Sequence, residues 1–226
     1  MIKINNVEIV GWEHAIRGMR NPLNSWSKSD SALCKKDADD CKLLAPYDCP
    51  KTGDFDEDFY CIGVHDFDLM KRLAAAGTDH AKYRRMITVY ADILAPLYWW
   101  KEYDTYKVGT VANSCSTMHK IQDKEFTLDD FSHDQMDYVT TCMLKDVISV
   151  LNKNRELFNN AKNKQNWWNM IQLLPSSYNQ KRTVMLNYEV LANMYRSRRS
   201  HKLDEWRKFC EWVETLQCSE LITGGN

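Results

Sequence analysis

The stretch LAAAGTDHAKYRRMITVYADILAPLYWWKEYDTYKVGTVANSCSTMH, residues 73–119, carries the sequence features that bear most directly on the fold. It begins with the end of a helix that starts near His65 and stops at Gly77, since glycine is favoured just past a helix end. The segment MITVYADILA, residues 86–95, is rich in strand-forming residues and predicts a strand closed by Pro96. A very aromatic segment follows, and residues 107–119 are small and polar, which predicts a loop.

The rest of the chain adds mainly helices to this strand. The first ten residues alternate between apolar and polar, which predicts a strand with one buried face, and a short helix should follow from Trp12 to Met19. A short helical turn is expected at residues 79–85, and the tail LITGGN is expected to fray. Further helices are predicted in the segments 128–159, 163–174, 179–196 and 201–217. The fold class predicted is α+β: a single helix-rich domain over residues 1–226 with a small sheet.

A polar insertion at about residues 21–61 interrupts this pattern and contains four of the eight cysteines: Cys34, Cys41, Cys49 and Cys61. Loops of that length without secondary structure are uncommon unless they are functional or disordered. No CxxC pair occurs, so we interpret the cysteines as reduced thiols packed as small hydrophobic residues. A metal site with unusual ligand spacing in the insertion is the alternative.

Composition excludes several classes of protein. The chain has 30 Lys and Arg against 31 Asp and Glu, so its formal net charge of −1 argues against nucleic acid as a partner. No apolar run approaches the roughly 18 residues of a membrane span, and the first residues lack a signal peptide's layout. These features predict a soluble, cytoplasmic protein that does not bind membranes.

Polar and charged groups gather at three places: residues 80–85, 101–119 and 196–205. Residues 80–85 are interpreted as a solvated helix end or as part of a site. Residues 196–205 are interpreted as an anion-binding site or as a helix C-terminus, where positive charges offset the helix dipole. The second adjoins four aromatic residues, Trp99, Trp100, Tyr103 and Tyr106. These rings could wall a pocket for a planar ligand, or the polar turn could pack over an aromatic core.

The order and spacing of these segments resemble the flavin-dependent thymidylate synthase family over roughly residues 69–205. In the first block the match rests on the His after the helix, the Ala-Pro step and the polar loop: His80, Ala95, Pro96, Lys101, Glu102, Gly109, Thr110, Val111, Asn113 and Ser116. In the second block, LLPSSYNQKRTVMLNYEVLANMYRSRRSHKLDEW, the matching positions are Leu174, Pro175, Asn187, Leu191, Asn193, Arg198, His201 and Glu205. Two separate blocks occur in the family's order.

The resemblance implies an enzyme that modifies a uracil nucleotide, as a homotetramer, with FAD as cofactor and with reduced folate and NADPH as co-substrates. It assigns catalysis to Arg198 and Ser116. The pyrimidine nucleotide would contact Glu102, Asn113, Ser116 and Arg198, and the flavin would contact His80, Lys107, Asn187 and Asn193. No metal is implied. Cys115, next to Ser116, is either a nucleophile or an ordinary thiol.

A second hypothesis is a catalytically inactive or repurposed protein of the same fold, which binds nucleotides or serves as an oligomeric scaffold. The family's flavin-holding Arg-His-Arg is replaced here by Thr105, Tyr106 and Lys107. A lysine does not reproduce the planar, bidentate fork of arginine. A third hypothesis, binding of single-stranded nucleic acid on the basic and aromatic segments, has the net charge of −1 against it.

Overall fold

A computed structural model describes residues 2–34 and 59–224. The chain begins with strand β1 (Lys3–Val10) and helix α1 (Trp12–Arg20), followed by two 3₁₀ turns, Asn21–Leu23 and Trp26–Lys28. Strands β2 (Ala32–Cys34) and β3 (Phe59–Cys61) pair antiparallel, with Leu33 opposite Tyr60. Most of the predicted insertion, including Cys41 and Cys49, lies outside the described residues.

The central part of the chain runs from helix to strand to helix. Helix α2 (Val64–Ala75) leads to a 3₁₀ helix (Ala81–Met86), strand β4 (Thr88–Pro96), helix α3 (Leu97–Tyr103) and strand β5 (Thr110–Ser114). The predicted helix end at Gly77 is confirmed, since this glycine has a φ of +105°, a backbone conformation in the left-handed region. The predicted strand before Pro96 is also confirmed, with its boundaries shifted by one or two residues.

The C-terminal half is mostly helical. A 3₁₀ turn (Leu128–Asp130) precedes the long helix α4 (Tyr138–Ala161), and α5 (Lys164–Leu173), β6 (Asn179–Asn187) and α6 (Tyr188–Arg198) follow. The chain continues with α7 (Asp204–Glu214) and α8 (Glu220–Thr223). The predicted fraying of the tail is wrong for Leu221 and Ile222, which are buried in α8 because the helix packs against α6 and α2.

Besides β2 and β3, which lie in the predicted polar insertion, two strands of the four-stranded sheet differ from the prediction. Residues 179–187 form strand β6, whereas a helix was predicted to start there. The strand lies inside the four-stranded sheet of order β1-β4-β6-β5, and it buries Gln180, Val184 and Leu186 on one face. Residues 110–114 form the edge strand β5 where a loop was expected. Its side chains are largely exposed on both faces, so no apolar alternation marks it in the sequence.

The described residues divide into two compact units. The first unit comprises residues 2–6, 91–107 and 112–184, and the second comprises residues 7–34, 59–90, 108–111 and 185–224. The first has a core cluster of Ile121, Phe126, Phe131, Leu144, Ile148, Leu151 and Met170. In the second, α6 packs against α7, α8 and the 3₁₀ helix at 81–86. The predicted class, a helix-rich α+β chain with a small sheet, is confirmed; the single domain stays a prediction.

Candidate functional site

Four of the eight predicted site residues lie in the second unit, three of them on or beside α6. Asn187 is the N-cap of this helix: its side-chain oxygen accepts a hydrogen bond from the backbone N–H of Val190 at 2.9 Å. Gly109 approaches this cap so closely that a Cβ there would lie 2.7 Å from the amide nitrogen of Asn187. Asn187 therefore has a structural role that the sequence interpretation did not foresee.

Arg198 lies in the last turn of α6 and is half-buried. Its guanidinium carbon is 4.8 Å from the ring centre of Trp206, which is fully buried at the start of α7. This stacking orients the plane of the guanidinium group and removes much of its conformational freedom. Asn193, five residues earlier, is exposed and lies about 140° around the helix from Arg198, so α6 alone does not place the two on one face.

The basic segment 80–85 contains one exposed and one buried candidate. His80 is exposed just before the 3₁₀ helix, where it is accessible to a ligand. Arg84 is buried and pairs with buried Glu189 of α6, with 3.6 Å between its Nη1 and Oε2. The interpretation of this segment as a solvated helix end is therefore wrong for Arg84, since its charge is compensated inside the second unit.

The other four predicted residues lie in the first unit. Ser116 is exposed, and its hydroxyl oxygen accepts hydrogen bonds from the backbone N–H groups of Met118 at 3.2 Å and His119 at 2.8 Å. This pattern is a serine turn, so the hydroxyl shapes the loop. Asn113 on β5 and Lys107 are exposed, and Glu102 on α3 is half-buried.

An arginine that the sequence interpretation missed holds this polar loop in place. Arg182 on β6 donates to Asp104 at 2.7 Å, and its guanidinium carbon lies 4.2 Å above the ring centre of Trp100. It also donates to the side-chain oxygen of Gln180 at 3.0 Å, whose amide nitrogen in turn donates to the carbonyl of Cys115 at 2.8 Å. Because residues 179–187 were predicted as helix, no feature of the sequence indicated that Arg182 lies beside Asp104.

The aromatic segment does not wall a pocket. Trp99, Trp100 and Tyr103 are at most 1% exposed and pack against one another, with ring centres 4.9–5.3 Å apart. The indole N–H of Trp100 donates to the backbone carbonyl of Gln180 at 2.9 Å. The structure therefore supports the alternative interpretation, in which the polar segment packs beside an aromatic core. Of the four rings, only that of Tyr106 is half-exposed.

Five cysteines are thiols that form no disulfide bond; Cys61, Cys210 and Cys218 are buried, Cys142 is half-buried and Cys115 is exposed. Burial raises the pKa of Cys210 to about 11, which makes it a poor nucleophile at neutral pH. Within residues 2–34 and 59–224, no group of three or more His, Cys, Asp or Glu side chains is arranged to hold a metal ion. The same residues include no helix that is both long and apolar enough to cross a membrane.

The sequence matches no protein-family model, and no curated protein is found as a relative. Two solved structures of the flavin-dependent thymidylate synthase ThyX from Helicobacter pylori, both complexed with FAD and dUMP, resemble the fold with a TM-score of 0.65 and 14% sequence identity. The likeness covers 97% and 99% of this chain and 98% of each ThyX chain. This chain therefore has the fold of the Helicobacter pylori ThyX structures along nearly its whole length.

Proposed function

We propose that the protein binds a pyrimidine nucleotide through Arg198 and carries out a flavin-linked modification of the uracil ring. One observation carries the proposal: an almost full-length likeness to ThyX structures that contain FAD and dUMP, in a chain whose Arg198 is held by stacking on Trp206. An arginine that is already oriented loses little conformational freedom on binding a phosphate or a pyrimidine carbonyl.

Arg198 acts in this proposal as a clamp for the nucleotide. Its position at the end of α6 places a permanent positive charge beside a fixed aromatic plane. A guanidinium group donates two parallel hydrogen bonds to a phosphate or to the edge of a pyrimidine, and its charge stabilises negative charge that develops on the ring oxygen. The proposal keeps Glu102, Asn113 and Ser116 as further nucleotide contacts, of which Asn113 and Ser116 are exposed.

The residues assigned to FAD fit that cofactor in part. His80, Lys107 and Asn193 are exposed hydrogen-bond donors that a phosphate-bearing ligand can reach. The side-chain oxygen of Asn187, in contrast, already accepts the hydrogen bond that caps α6. We propose that the first three hold the flavin and that Asn187 shapes the local backbone. When bound, the reduced flavin would supply hydride, with reduced folate as the one-carbon donor and NADPH as the reductant.

The second candidate function is binding without chemistry, and one specific observation favours it. The Ser116 hydroxyl oxygen already accepts two backbone hydrogen bonds, which gives it a structural role in the loop. Such a protein would keep the nucleotide clamp at Arg198 and serve as an oligomeric scaffold. The homotetramer and the cytoplasmic location are predictions that hold for either candidate.

A binding experiment tests the clamp. We expect dUMP to raise the thermal unfolding midpoint of the purified protein, and Arg198→Ala to abolish that increase. Arg196→Ala is the matched control, because Arg196 lies on the same helix turn but is exposed, so its removal should leave the dUMP effect intact. Unfolding without ligand shows whether loss of the Trp206 contact has simply destabilised the fold. A dUMP response that survives in Arg198→Ala contradicts the clamp.

Two further measurements separate the candidates. An enzyme that retains FAD should be yellow after purification, with absorbance between the near-ultraviolet and the blue, and should restore growth of a thymidine-requiring host. Arg198→Ala should abolish that growth, while Arg196→Ala should not. A colourless protein that binds dUMP but never supports growth would identify the scaffold. The absence of any response to FAD and to pyrimidine nucleotides would contradict both candidates.

A further inference from the structure

Helix α4 exposes a row of apolar side chains that its own core does not use. Val139, Met143, Val150 and Leu157 are 65%, 65%, 47% and 45% exposed. They are separated by four, seven and seven residues, so on a helix of 3.6 residues per turn they fall within about 40° of one another. We call these four residues the α4 stripe. Single exposed apolar residues are ordinary, whereas apolar residues that recur at seven-residue spacing along one face of a helix are placed to pair with a second helix.

A different face of α4 already packs within the first unit. Leu144, Ile148 and Leu151 are buried in the core cluster, beside α5. The helix is also well terminated: Asp137 accepts a hydrogen bond from the backbone N–H of Thr140 at 2.7 Å, and Lys162 closes the other end in the left-handed conformation. Its 24 residues therefore form a rod about 36 Å long, and the stripe extends along three quarters of it.

The charges beside the stripe indicate what covers it. Asp146 and Lys153 are exposed, stand seven residues apart on the same edge of the stripe, and form no ion pair with another described residue. If two copies of α4 pair antiparallel about Val150, Asp146 of each copy lies opposite Lys153 of the other. Met143 then lies opposite Leu157, and Val150 meets its own counterpart. A parallel two-fold pair would place this edge of the two copies on opposite sides of the interface, so Asp146 and Lys153 would not face one another.

From this self-complementarity we infer that the α4 stripe is a two-fold interface, in which α4 pairs antiparallel with α4 of a second copy of the chain. The same surface patch serves both copies, as closed two-fold symmetry requires. The inference deepens the proposed homo-oligomer by naming its surface and rests on that part of the proposed function, but it does not depend on nucleotide or flavin binding.

Val150→Glu tests the interface, because it places two carboxylates face to face at the symmetry axis. We expect the molar mass, measured by light scattering or sedimentation, to fall to half that of the unchanged protein. Leu23→Glu is the control: Leu23 is 84% exposed in the second unit, so its replacement adds the same charge elsewhere and should leave the mass unchanged. Circular dichroism checks that both variants fold. A folded Val150→Glu variant with undiminished mass would overturn the inference, as would an unchanged protein that is a monomer of 26.6 kDa.

Charge exchange tests the antiparallel arrangement itself. Asp146→Lys and Lys153→Asp each create two like-charge contacts, so each alone should weaken association by about ten-fold or more. The double variant restores opposite charges across the axis and should recover the association of the unchanged protein. A double variant as weak as the single ones refutes the antiparallel pairing. The dUMP response of Val150→Glu is a separate readout: its loss would bear on the nucleotide proposal, whereas only the mass bears on the interface.

Discussion

Replacing Asp66 with asparagine is expected to destabilise the fold much more than a comparable change on the helix surface. Asp66 lies in the first turn of α2 and has no exposed surface. One of its carboxylate oxygens accepts from both Nε and Nη2 of Arg20, each at 2.6 Å. The other accepts from the hydroxyls and backbone of the segment before β2: Ser29 Oγ, Asp30 N, Ser31 N and Ser31 Oγ.

The magnitude follows from what asparagine leaves behind. Arg20 is only 5% exposed, and within residues 2–34 and 59–224 its hydrogen bond besides those to Asp66 is to the carbonyl of Ser25. Breaking a buried ion pair on one side costs about 3–5 kcal/mol, because the remaining charge stays buried without compensation. We expect Asp66→Asn to lower the free energy of unfolding by about that amount, a large fraction of the roughly 5–15 kcal/mol typical of a folded protein.

Urea unfolding followed by circular dichroism measures this loss, and α2 supplies its own control. Asp68, two residues further along, pairs with Lys71 at 2.9 Å, but both side chains are about half exposed. Because exposed ion pairs contribute little, Asp68→Asn should cost less than about 1 kcal/mol. Arg20→Met should fall between the two, since Asp66 then keeps the hydrogen bonds from Ser29 to Ser31.

The pH dependence provides an independent check. Burial alone would raise the pKa of Asp66, but hydrogen bonds from Ser29, Ser31 and Arg20, with the charge of Arg20, lower it below the ordinary 3.8. A depressed pKa in the folded state stabilises the fold above the unfolded pKa and loses that contribution as pH falls. The stability difference between the unchanged protein and Asp66→Asn should therefore shrink below about pH 4. A loss no greater than that of Asp68→Asn, or one independent of pH, would refute this reasoning.

Three further predictions concern other parts of the chain. Gly109→Ala should lower the free energy of unfolding by about 1–3 kcal/mol, because the φ of Gly109 is +77° and the new Cβ would meet the side chain of Asn187. Gly77→Ala is the control: its φ is +105° but the space around it is open, so urea unfolding should show a smaller loss. Hydrogen bonds from a lysine, a threonine and an asparagine lower the pKa of Asp92 to about 2. The free energy of unfolding, measured at decreasing pH, should therefore lose the contribution of Asp92 between about pH 4 and pH 2, and Asp92→Asn should lack this contribution. Leu151→Ala should cost about 2–5 kcal/mol by emptying the first unit's core, and a loss below 1 kcal/mol by thermal unfolding would contradict that packing.

The sequence alone was sufficient for most of the helices and for strands β1 and β4, but it missed α8. The prediction of one buried face for β1 is wrong, since its side chains are exposed or half-buried and Val7 is 42% exposed. Strand β4 has β-branched residues and a terminal proline, and α7 buries Trp206, Phe209, Cys210 and Val213 at helical spacing. In both cases the periodicity of the apolar residues reports burial directly. The same periodicity was uninformative for β5, whose small polar side chains are largely exposed and whose place in the sheet depends on backbone pairing with β6.

The candidate site shows the same division between sequence and structure. Spacing along the chain was enough to propose Arg198 and His80 as site residues, because matching the family's motifs requires only the order and spacing of the residues. It could not show that Arg198 stacks on Trp206, that Asn187 caps α6, or that Arg182 reaches Asp104 across 78 positions of sequence. Only the contact of Arg182 with Asp104 joins residues far apart in the chain, so it exists only once the tertiary structure has formed. The Asn187 cap is local, and it was missed because residues 179–187 were predicted as helix, which left no helix start at Asn187.

The sequence by itself therefore determined most of the helices, strand β4, the helix-rich α+β class and the order of the polar segments, since each depends on short-range pattern. Tertiary structure decided that the aromatic cluster at Trp99 and Trp100 is core and that Arg84 is a buried partner of Glu189. The physical reason is desolvation: whether a ring or a charge meets water or protein depends on which elements pack over it, and that is set by the whole fold.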